Sequence, residues 1–275
     1  MSDIWDSVAP NWERNADLVD AHMAEATTLL VESVRIGRGD RVLDLASGPG
    51  GAGLAAAAVV GDTGGVTLAD LSPAMIAAAI RRADGLPQVD SLVCDQAAID
   101  AIDESFDAVI VRHGLMFAED PVAAVAEARR VLRPGGRYGA MTWGSRADNP
   151  WLGLILDAVG TQFGTTFPPP GVPGPFSLED RERLREILVE GGLGEVEVRD
   201  LATPMRAASL DEWWERVPQL AGPLAQALAG MEPEVREEIR SRALHSAEEV
   251  ARRTEDGVEL AGSVLIACGT RTSTA

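Results

Sequence analysis

The chain has 275 residues, of which 46% are apolar and 24% charged, and its formal net charge is −19 at pH 7. This length and composition are typical of a folded α/β domain with additional elements, and they exclude a mainly disordered chain. The negative charge repels phosphate backbones and anionic lipid surfaces, so nucleic-acid and membrane partners are disfavoured.

Other features of the composition exclude further classes of protein. All 24 basic side chains are arginine, which excludes any mechanism that needs a Schiff-base or P-loop lysine. Cys94 and Cys268 are far apart in sequence and predict neither a disulfide framework nor a metal site. The first residues lack the pattern of a secretory signal, and the longest apolar run, 54–60, is too short to span a bilayer. We therefore expect a cytoplasmic protein.

Strand and helix patterns alternate through the first half of the chain. Five segments have the apolar pattern of short buried strands: 41–45, 66–69, 89–94, 106–111 and 137–143. Helical patterns lie before and between them: 17–35, 54–60, from Ser72-Pro73 onwards, a short stretch after the third strand, and 120–132. Strands that alternate with helices in this way predict an α/β fold with a parallel, doubly wound, Rossmann-like sheet.

The second half of the chain has a different pattern. Helices are predicted at 150–165, 178–190, 209–229 and 232–252. Strands at 195–201 and 258–268 predict an antiparallel C-terminal pair, which gives a sheet of about seven strands. The predicted organisation is N-terminal lid helices at 1–36, a cofactor-binding core at 37–148, lid insertions at 149–192 and 203–256, and C-terminal strands of the core sheet at 193–202 and 257–270.

A glycine-rich loop joins the first strand to the following helix. Gly48, Gly50 and Gly53 satisfy the G-x-G-x-x-G pattern of dinucleotide sites, where glycine lets a ligand approach the backbone. That pattern alone also fits a nicotinamide dinucleotide. Asp44, just before the loop, favours a different ligand, because its carboxylate would repel a pyrophosphate and would hold the ammonium group of a methionine moiety.

Two further acids end the next two strands. Asp70 is placed to accept hydrogen bonds from both hydroxyls of a ribose, and Asp95 from the amino group of an adenine. Acids at three successive strand ends predict one ligand-binding crevice at the switch point of the sheet. The alternative for each acid is a helix cap or a solvated loop carboxylate.

Five segments, in order, resemble the class I S-adenosylmethionine-dependent methyltransferases over roughly residues 5–145. These segments are Asp44–Gly50, similar to their D-x-G/A-C/S-G-x-G loop, then Asp70–Met75, Cys94–Ala97, Phe106–Val109 and Leu132–Gly136. Within that class, Trp5–Glu13 resembles the N-terminal stretch of the ubiquinone/menaquinone-biosynthesis C-methyltransferases, with Trp12 in place of their tyrosine. The resemblance implies cofactor contacts from Asp44, Ala46, Gly48, Gly50, Asp70, Leu71, Asp95, Gln96, Ala97 and His113.

Methyl transfer requires alignment of the reacting groups and exclusion of water, and a base only where the acceptor must lose a proton. The resemblance places His113 at the methyl end of the cofactor, which makes it the candidate base. The alternative is that its ring serves only for packing. Trp213, Trp214 and His22, on predicted lid helices, are the candidates for contact with the substrate.

The sequence thus predicts an S-adenosylmethionine-dependent methyltransferase that acts on oxygen or carbon of a small, quinone-like or secondary-metabolite acceptor. Enzymes that methylate amino groups have an [N/D]-P-P-[Y/F] segment after the fourth strand. This chain has Val111–Gly114 at that position instead. The alternatives are a non-methylating member of the fold, an NAD-dependent oxidoreductase, and a protein- or RNA-modifying enzyme. No metal is expected.

Overall fold

The computed structural model describes residues 2–272 of the chain. Its strands are β1 Arg41–Leu45, β2 Gly65–Asp70, β3 Val89–Val93, β4 Phe106–Arg112, β5 Leu132–Trp143, β6 Gly194–Ala202, β7 Met205–Ala207, β8 Arg252–Thr254, β9 Gly257–Leu260 and β10 Ser263–Thr270. Its α-helices are α1 Ser2–His22, α2 Ala24–Ser33, α3 Gly51–Val60, α4 Pro73–Arg82, α5 Pro121–Val131, α6 Pro150–Phe163, α7 Arg181–Glu190, α8 Leu210–Leu220, α9 Gly222–Ala229 and α10 Pro233–Val250.

One sheet organises the molecule, with the strand order β3-β2-β1-β4-β5-β10-β6. Strands β1 to β5 are parallel, while β10 is antiparallel to both β5 and β6. The predicted Rossmann-like sheet with antiparallel C-terminal strands is therefore confirmed. Because β1 lies beside β4, the direction of winding reverses between them, and such a reversal opens a crevice at the carboxyl ends of the strands.

Helices cover both faces of this sheet. On one face, Leu30 of α2 and Ala56 of α3 pack in a cluster with Val42 of β1. On the other face, Val125 of α5 and Leu188 of α7 belong to a second cluster. The central strands are buried on both sides, and this explains why they are recognisable in the sequence as short apolar runs.

The region between β5 and β10 forms a further core of its own. Helices α6, α8 and α10 pack together with β9 around Trp213, Ile155 and Ile239. Helix α7 is different: it lies within the predicted lid segment 149–192, but Leu184 and Ile187 pack against the sheet. Within residues 2–272, none of the helices has both the length and the apolar character needed to cross a bilayer.

Two local predictions were wrong. The short helix after the third strand is absent from 94–105, which instead contains turns and an isolated bridge between Asp95 and Ala98. Within 94–105 Ile99 is buried but Ile102, three positions later, is 80% exposed, so the apolar residues at helical spacing do not share one buried face. The predicted final strand is divided into β9 and β10, and β9 belongs to a second sheet with the order β7-β9-β8, so 257–260 lies outside the core sheet. A Cβ on Gly262, between the two strands, would lie 2.2 Å from the carbonyl oxygen of Thr203, so this crossing requires glycine.

Two helical segments also differ in extent from the prediction. The segment predicted at 17–35 is covered by α1 and α2, and α1 begins fifteen residues earlier, at Ser2. Pro10 lies inside α1, and an internal proline is normally a sign that a helix ends. The segment predicted at 209–229 is broken at Ala221, whose ψ of 87° is not helical, directly before Gly222-Pro223 starts α9.

Candidate functional site

The loops that follow β1, β2, β3 and β4 contact one another at the carboxyl edge of the sheet. The backbone N–H of Gly48 donates to the carboxylate of Asp70 at 2.9 Å. The amide of Gln96 donates to the carbonyl oxygen of Gly114 at 3.3 Å. A Cβ on Gly114 would lie 2.3 Å from the Cβ of Ala46. These contacts join all four loops into one site, at the place where the sequence predicted a crevice.

Asp44 lies at the bottom of this site and has no exposed surface. Its Oδ2 accepts a hydrogen bond from the N–H of Gly53 at 2.7 Å, in the first turn of α3. Its Oδ1 is buried and has no hydrogen-bond partner within the described part of the chain. Burial raises the pKa of Asp44 to about 7, although the positive charge of Arg112 opposes this shift. Among residues 2–272, the carboxyl group therefore has one oxygen without a partner and no counter-charge in direct contact.

Asp70 is buried as well, but both of its oxygens have partners. Oδ2 accepts from Gly48 and Oδ1 accepts from the N–H of Ser72 at 2.8 Å. Burial raises the pKa of Asp70, and these backbone hydrogen bonds oppose the shift. Each carboxylate oxygen can accept a second hydrogen bond, so Asp70 retains the capacity to bind two hydroxyl groups.

Asp95 lies at the rim of the site, and its side chain is exposed. Its Oδ1 accepts from the N–H of Ala97 at 2.8 Å, which fixes the loop after β3. Leu71, which follows Asp70, is half-buried. The structure thus brings the three predicted acids to one edge, with Asp44 and Asp70 inside and Asp95 at the entrance.

Helix α1 covers the glycine loop, and its acids were missed in the sequence. The carboxylate of Asp20 pairs with Arg112 at 2.7 Å and with Arg82 at 2.6 Å. A Cβ on Gly51 would lie 1.9 Å from Oδ1 of Asp20, so the helix touches the loop directly. Asp6, near the start of α1, accepts from the hydroxyl of Ser72. These two acids are fourteen residues apart, which is about four helical turns and places them on the same face of the helix. This spacing was the signal in the sequence that both acids contact the core.

His113 follows β4 and has a positive φ of 60°. Its ring stacks on Trp143 with a centroid distance of 3.8 Å and an interplanar angle of 17°. Its Nε2 lies 3.5 Å from Sδ of Met23, at the junction of α1 and α2. Burial lowers the pKa of His113 well below its ordinary value, and the charges of Arg112 and His22 lower it further. The imidazole is therefore neutral at physiological pH.

The three predicted substrate contacts lie in two different environments. Trp213 is fully buried in the core of the lid, where its indole N–H donates to the carbonyl oxygen of Trp151 at 2.7 Å. Trp214 is 9% exposed and packs in the same core. His22 is the last residue of α1 and directly precedes Met23, whose sulfur contacts Nε2 of His113. Burial, together with the charges of Arg216 and Arg206, lowers the pKa of His22. Only His22 is thus associated with the candidate site.

The Asn149-Pro150-Trp151 segment connects the lid to the core. Asn149 is completely buried, and its Oδ1 accepts from the backbone of Ser263 at 3.0 Å and from the indole of Trp151 at 3.0 Å. Trp151 in turn lies edge-on to Trp143, with ring centroids 4.8 Å apart. A continuous set of contacts therefore leads from His113 through two indoles to the lid.

The close packing of the glycine loop allows a direct test. A Cβ on Gly53 would lie 2.2 Å from Cδ2 of Leu68 and 2.9 Å from Oδ2 of Asp44. We expect Gly53→Ala to lower the free energy of unfolding by about 1–3 kcal/mol, the usual cost of overpacking. The matched control is Gly65→Ala, whose added Cβ meets nothing closer than 3.9 Å. Urea denaturation of both variants gives the comparison, and equal stabilities would contradict the packing described here.

Comparison with known proteins identifies the part of the chain that contains this site. Residues 42–136, which include the glycine loop and all three acids, match the family model described as "Methyltransferase domain". The part of the chain that contains the site is thus similar to methyltransferase domains. The chain is 31% identical over 161 residues to the ubiquinone/menaquinone biosynthesis C-methyltransferase UbiE of Xanthomonas oryzae. That match covers 57% of this chain and 63% of the relative, so the chain spans less than two thirds of the relative's length.

Solved structures with little sequence identity share the fold of this chain. A chain from the complex between the Haloferax volcanii activator Trm112 and a methyltransferase matches with a TM-score of 0.60 and 19% identity, covering 100% of this chain and 98% of that one. The [4+2]-cyclase SpnF matches with a TM-score of 0.56 and 19% identity, covering 98% of this chain and 96% of that one. At these identities the likeness establishes the fold alone.

Proposed function

We propose that this chain is an S-adenosylmethionine-dependent methyltransferase that transfers a methyl group to oxygen or carbon of a small molecule. The observation that carries the proposal is the buried, unpartnered Oδ1 of Asp44 beside the glycine loop. A buried carboxylate oxygen without a partner is unfavourable, and the ammonium group of the methionine moiety would supply both a donor and a counter-charge. The hydroxyl of Ser47, also buried and without a partner in the described residues, would add a second contact.

The other residues of the site have matching roles in this proposal. Asp70 would accept hydrogen bonds from the ribose hydroxyls, while Asp95 and Gln96 would lie against the adenine. The glycines at 48 and 50, with the backbone of Ala46, Leu71 and Ala97, would line the rest of the nucleoside site. S-adenosylmethionine, when bound, supplies an electrophilic methyl group on a cationic sulfur. The protein's own contribution is to orient that group and to exclude water, for which α1 and the lid are suitably placed.

Similarity to a quinone-biosynthesis C-methyltransferase supports a quinone-like or secondary-metabolite acceptor. We keep His113 and His22 as residues that contact this acceptor. The lowered pKa of His113 makes its ring a weak base, so we favour a hydrogen-bonding role over proton removal. Trp213 and Trp214 would act indirectly, by supporting the lid. The negative charge of the chain supports an enzyme without a nucleic-acid partner.

Calorimetry with S-adenosylhomocysteine and, separately, with NAD tests the cofactor. We expect binding of the first and none of the second, because the buried carboxylate of Asp44 opposes a pyrophosphate beside the glycine loop. Transfer of a labelled methyl group to a panel of phenols, quinols and other metabolites then tests the activity. Binding of S-adenosylhomocysteine without transfer to any acceptor would favour the non-methylating alternative, which has a precedent in the fold shared with the [4+2]-cyclase.

A further inference from the structure

One carboxylate of α1 connects three elements around the glycine loop. Oδ1 of Asp20 accepts a hydrogen bond from Nη2 of Arg112 at 2.7 Å, and Oδ2 accepts one from Nη2 of Arg82 at 2.6 Å. Arg112 is the last residue of β4, and Arg82 is the last residue of α4. The side chain of Arg112 is 8% exposed and that of Arg82 18%, so water screens these pairs less than it screens ion pairs at the surface. Asp20 thus joins α1, α4 and β4 at one point.

This cluster of Asp20, Arg82 and Arg112 lies against the backbone of the glycine loop. Nη1 of Arg82 donates to the carbonyl oxygen of Pro49 at 2.7 Å. On the other side of Gly50, a Cβ on Gly51 would lie 1.9 Å from Oδ1 of Asp20. Gly50 itself has a φ of 88°, in the left-handed region. The cluster therefore contacts the loop on both sides of the residue at which it turns into α3.

Asp20 determines where the guanidinium group of Arg82 lies. The planar group can donate to Asp20 and to Pro49 at the same time because it has several N–H groups in fixed directions. A second acid, Asp17, lies 3.3 Å from Arg82, but its side chain is fully exposed and such a pair contributes little. Burial would raise the pKa of Asp20, but the charge of Arg112 and the hydrogen bonds from both arginines outweigh it and hold the pKa below its ordinary value. Asp20 is therefore charged at neutral pH.

A second ion pair between the same two helices provides an internal comparison. Glu13 of α1 accepts from Nε and Nη2 of Arg81, both at 2.7 Å. Arg81 is next to Arg82 in the sequence, but its side chain is 58% exposed. Within residues 2–272, the hydrogen bonds of the Arg81 side chain go to Glu13 alone. Both pairs attach α1 to α4, and of the two only the pair with Asp20 also reaches the glycine loop.

We infer that Asp20 is a positioning residue for cofactor binding, which acts through Arg82 and Arg112 to hold the glycine loop in the conformation that receives the cofactor. Its effect on the ligand is indirect, because both of its oxygens are bound to arginines. The inference rests on the proposed function for the identity of the ligand. The conformation of the loop can be measured in the ligand-free protein, so the two can be tested separately.

Hydrogen exchange of the backbone amides measures the loop directly in the full chain without ligand. We expect Asp20→Asn to speed exchange within 48–53 by about 10-fold, which corresponds to about 1.4 kcal/mol in the free energy of local opening. The physical reason is that an asparagine side chain has one acceptor oxygen and cannot pair with both arginines. The matched control is Glu13→Gln, which removes a carboxylate that attaches the same two helices. Equal exchange rates of the loop in the two variants would show that Asp20 only attaches α1, and would overturn the inference.

The affinity for S-adenosylhomocysteine is tested with a second matched pair, Arg82→Lys and Arg81→Lys. Lysine keeps the charge but lacks the planar fork that reaches both Asp20 and Pro49. Calorimetry should show a loss of about 10-fold in Arg82→Lys and of less than about 2-fold in Arg81→Lys, whose ion pair is exposed. Both variants keep the pair between Asp20 and the buried Arg112, so this comparison still decides the question if Asp20→Asn does not fold. Equal affinities of the two lysine variants would contradict the inference.

The double variant Asp20→Asn/Arg82→Lys tests whether Asp20 acts through Arg82. It should bind S-adenosylhomocysteine more tightly than the product of the two single losses implies, because both changes disturb the same contact with the loop. Losses that simply multiply would show that Asp20 acts independently of Arg82, and would overturn the inference. If the unchanged protein does not bind S-adenosylhomocysteine, the proposed function fails instead, while the exchange rates of the ligand-free variants still test the positioning of the loop.

Discussion

Replacement of Asp70 by asparagine is expected to weaken the binding of S-adenosylhomocysteine by about 100-fold. Asp70 is the acid whose two oxygens fix the loops after β1 and β2, through the N–H groups of Gly48 and Ser72. Asparagine has only one acceptor oxygen, and its NH₂ group would face one of these donors. A hydrogen bond to a charged group contributes roughly 1.5–3 kcal/mol, and each 1.4 kcal/mol changes affinity tenfold.

The comparison variant is Asp95→Asn. Asp95 is exposed at the rim of the site, where water competes for its hydrogen bonds, so we expect a loss of only a few-fold. Calorimetry of both variants at the same pH and salt concentration measures the difference. Thermal denaturation shows whether Asp70→Asn has lost the fold rather than the ligand contact. Equal losses of affinity in the two variants would contradict the arrangement described here, with Asp70 inside and Asp95 at the entrance.

The sheet could be predicted from the sequence because its central strands are buried on both faces. Val42, Leu43 and Leu45 in β1 are almost completely buried, and such strands are short apolar runs regardless of what packs on them. Helix α1 could not be delimited in the same way. Its contacts with the core depend on its placement over the glycine loop in the folded protein. The internal Pro10 is a local signal that a helix ends. The division of β9 from β10 depends on the contact of Gly262 with Thr203, 59 positions earlier in the sequence.

The candidate site was predictable to the extent that strand order determines it. Acids at the ends of parallel strands must lie at one edge, and Asp44, Asp70 and Asp95 do. Their different burial was not predictable, since it depends on α1 and on the loops. The same holds for Met23, whose sulfur meets His113 from a position 90 residues away. Trp213 illustrates the limit of composition arguments, because a scarce aromatic residue fills the core of the lid as readily as it lines a pocket.

Replacement of Asp44 by asparagine is expected to stabilise the ligand-free protein above neutral pH. The pKa of this fully buried carboxyl rises from 3.8 to about 7 on folding. Between these two values the folded state binds more protons than the unfolded state, so the free energy of unfolding falls as the pH rises through this range. At 1.36 kcal/mol per pH unit, Asp44 lowers stability by roughly 4 kcal/mol above neutral pH. Below about pH 4, where both states are protonated, this loss is absent.

Asparagine has the shape of Asp44 without its charge, and its oxygen can still accept from Gly53. The stability of Asp44→Asn relative to the wild type should therefore increase between about pH 4 and about pH 7, as urea denaturation without ligand will show. Asp95→Asn, at an exposed position, is the control in which the relative stability should change little. A relative stability of Asp44→Asn that is independent of pH would contradict the burial argument.

The gain in stability should come with weaker binding of S-adenosylhomocysteine, because a neutral amide cannot balance the ammonium charge. A carboxylate that destabilises the fold and strengthens cofactor binding is what a binding site requires of Asp44.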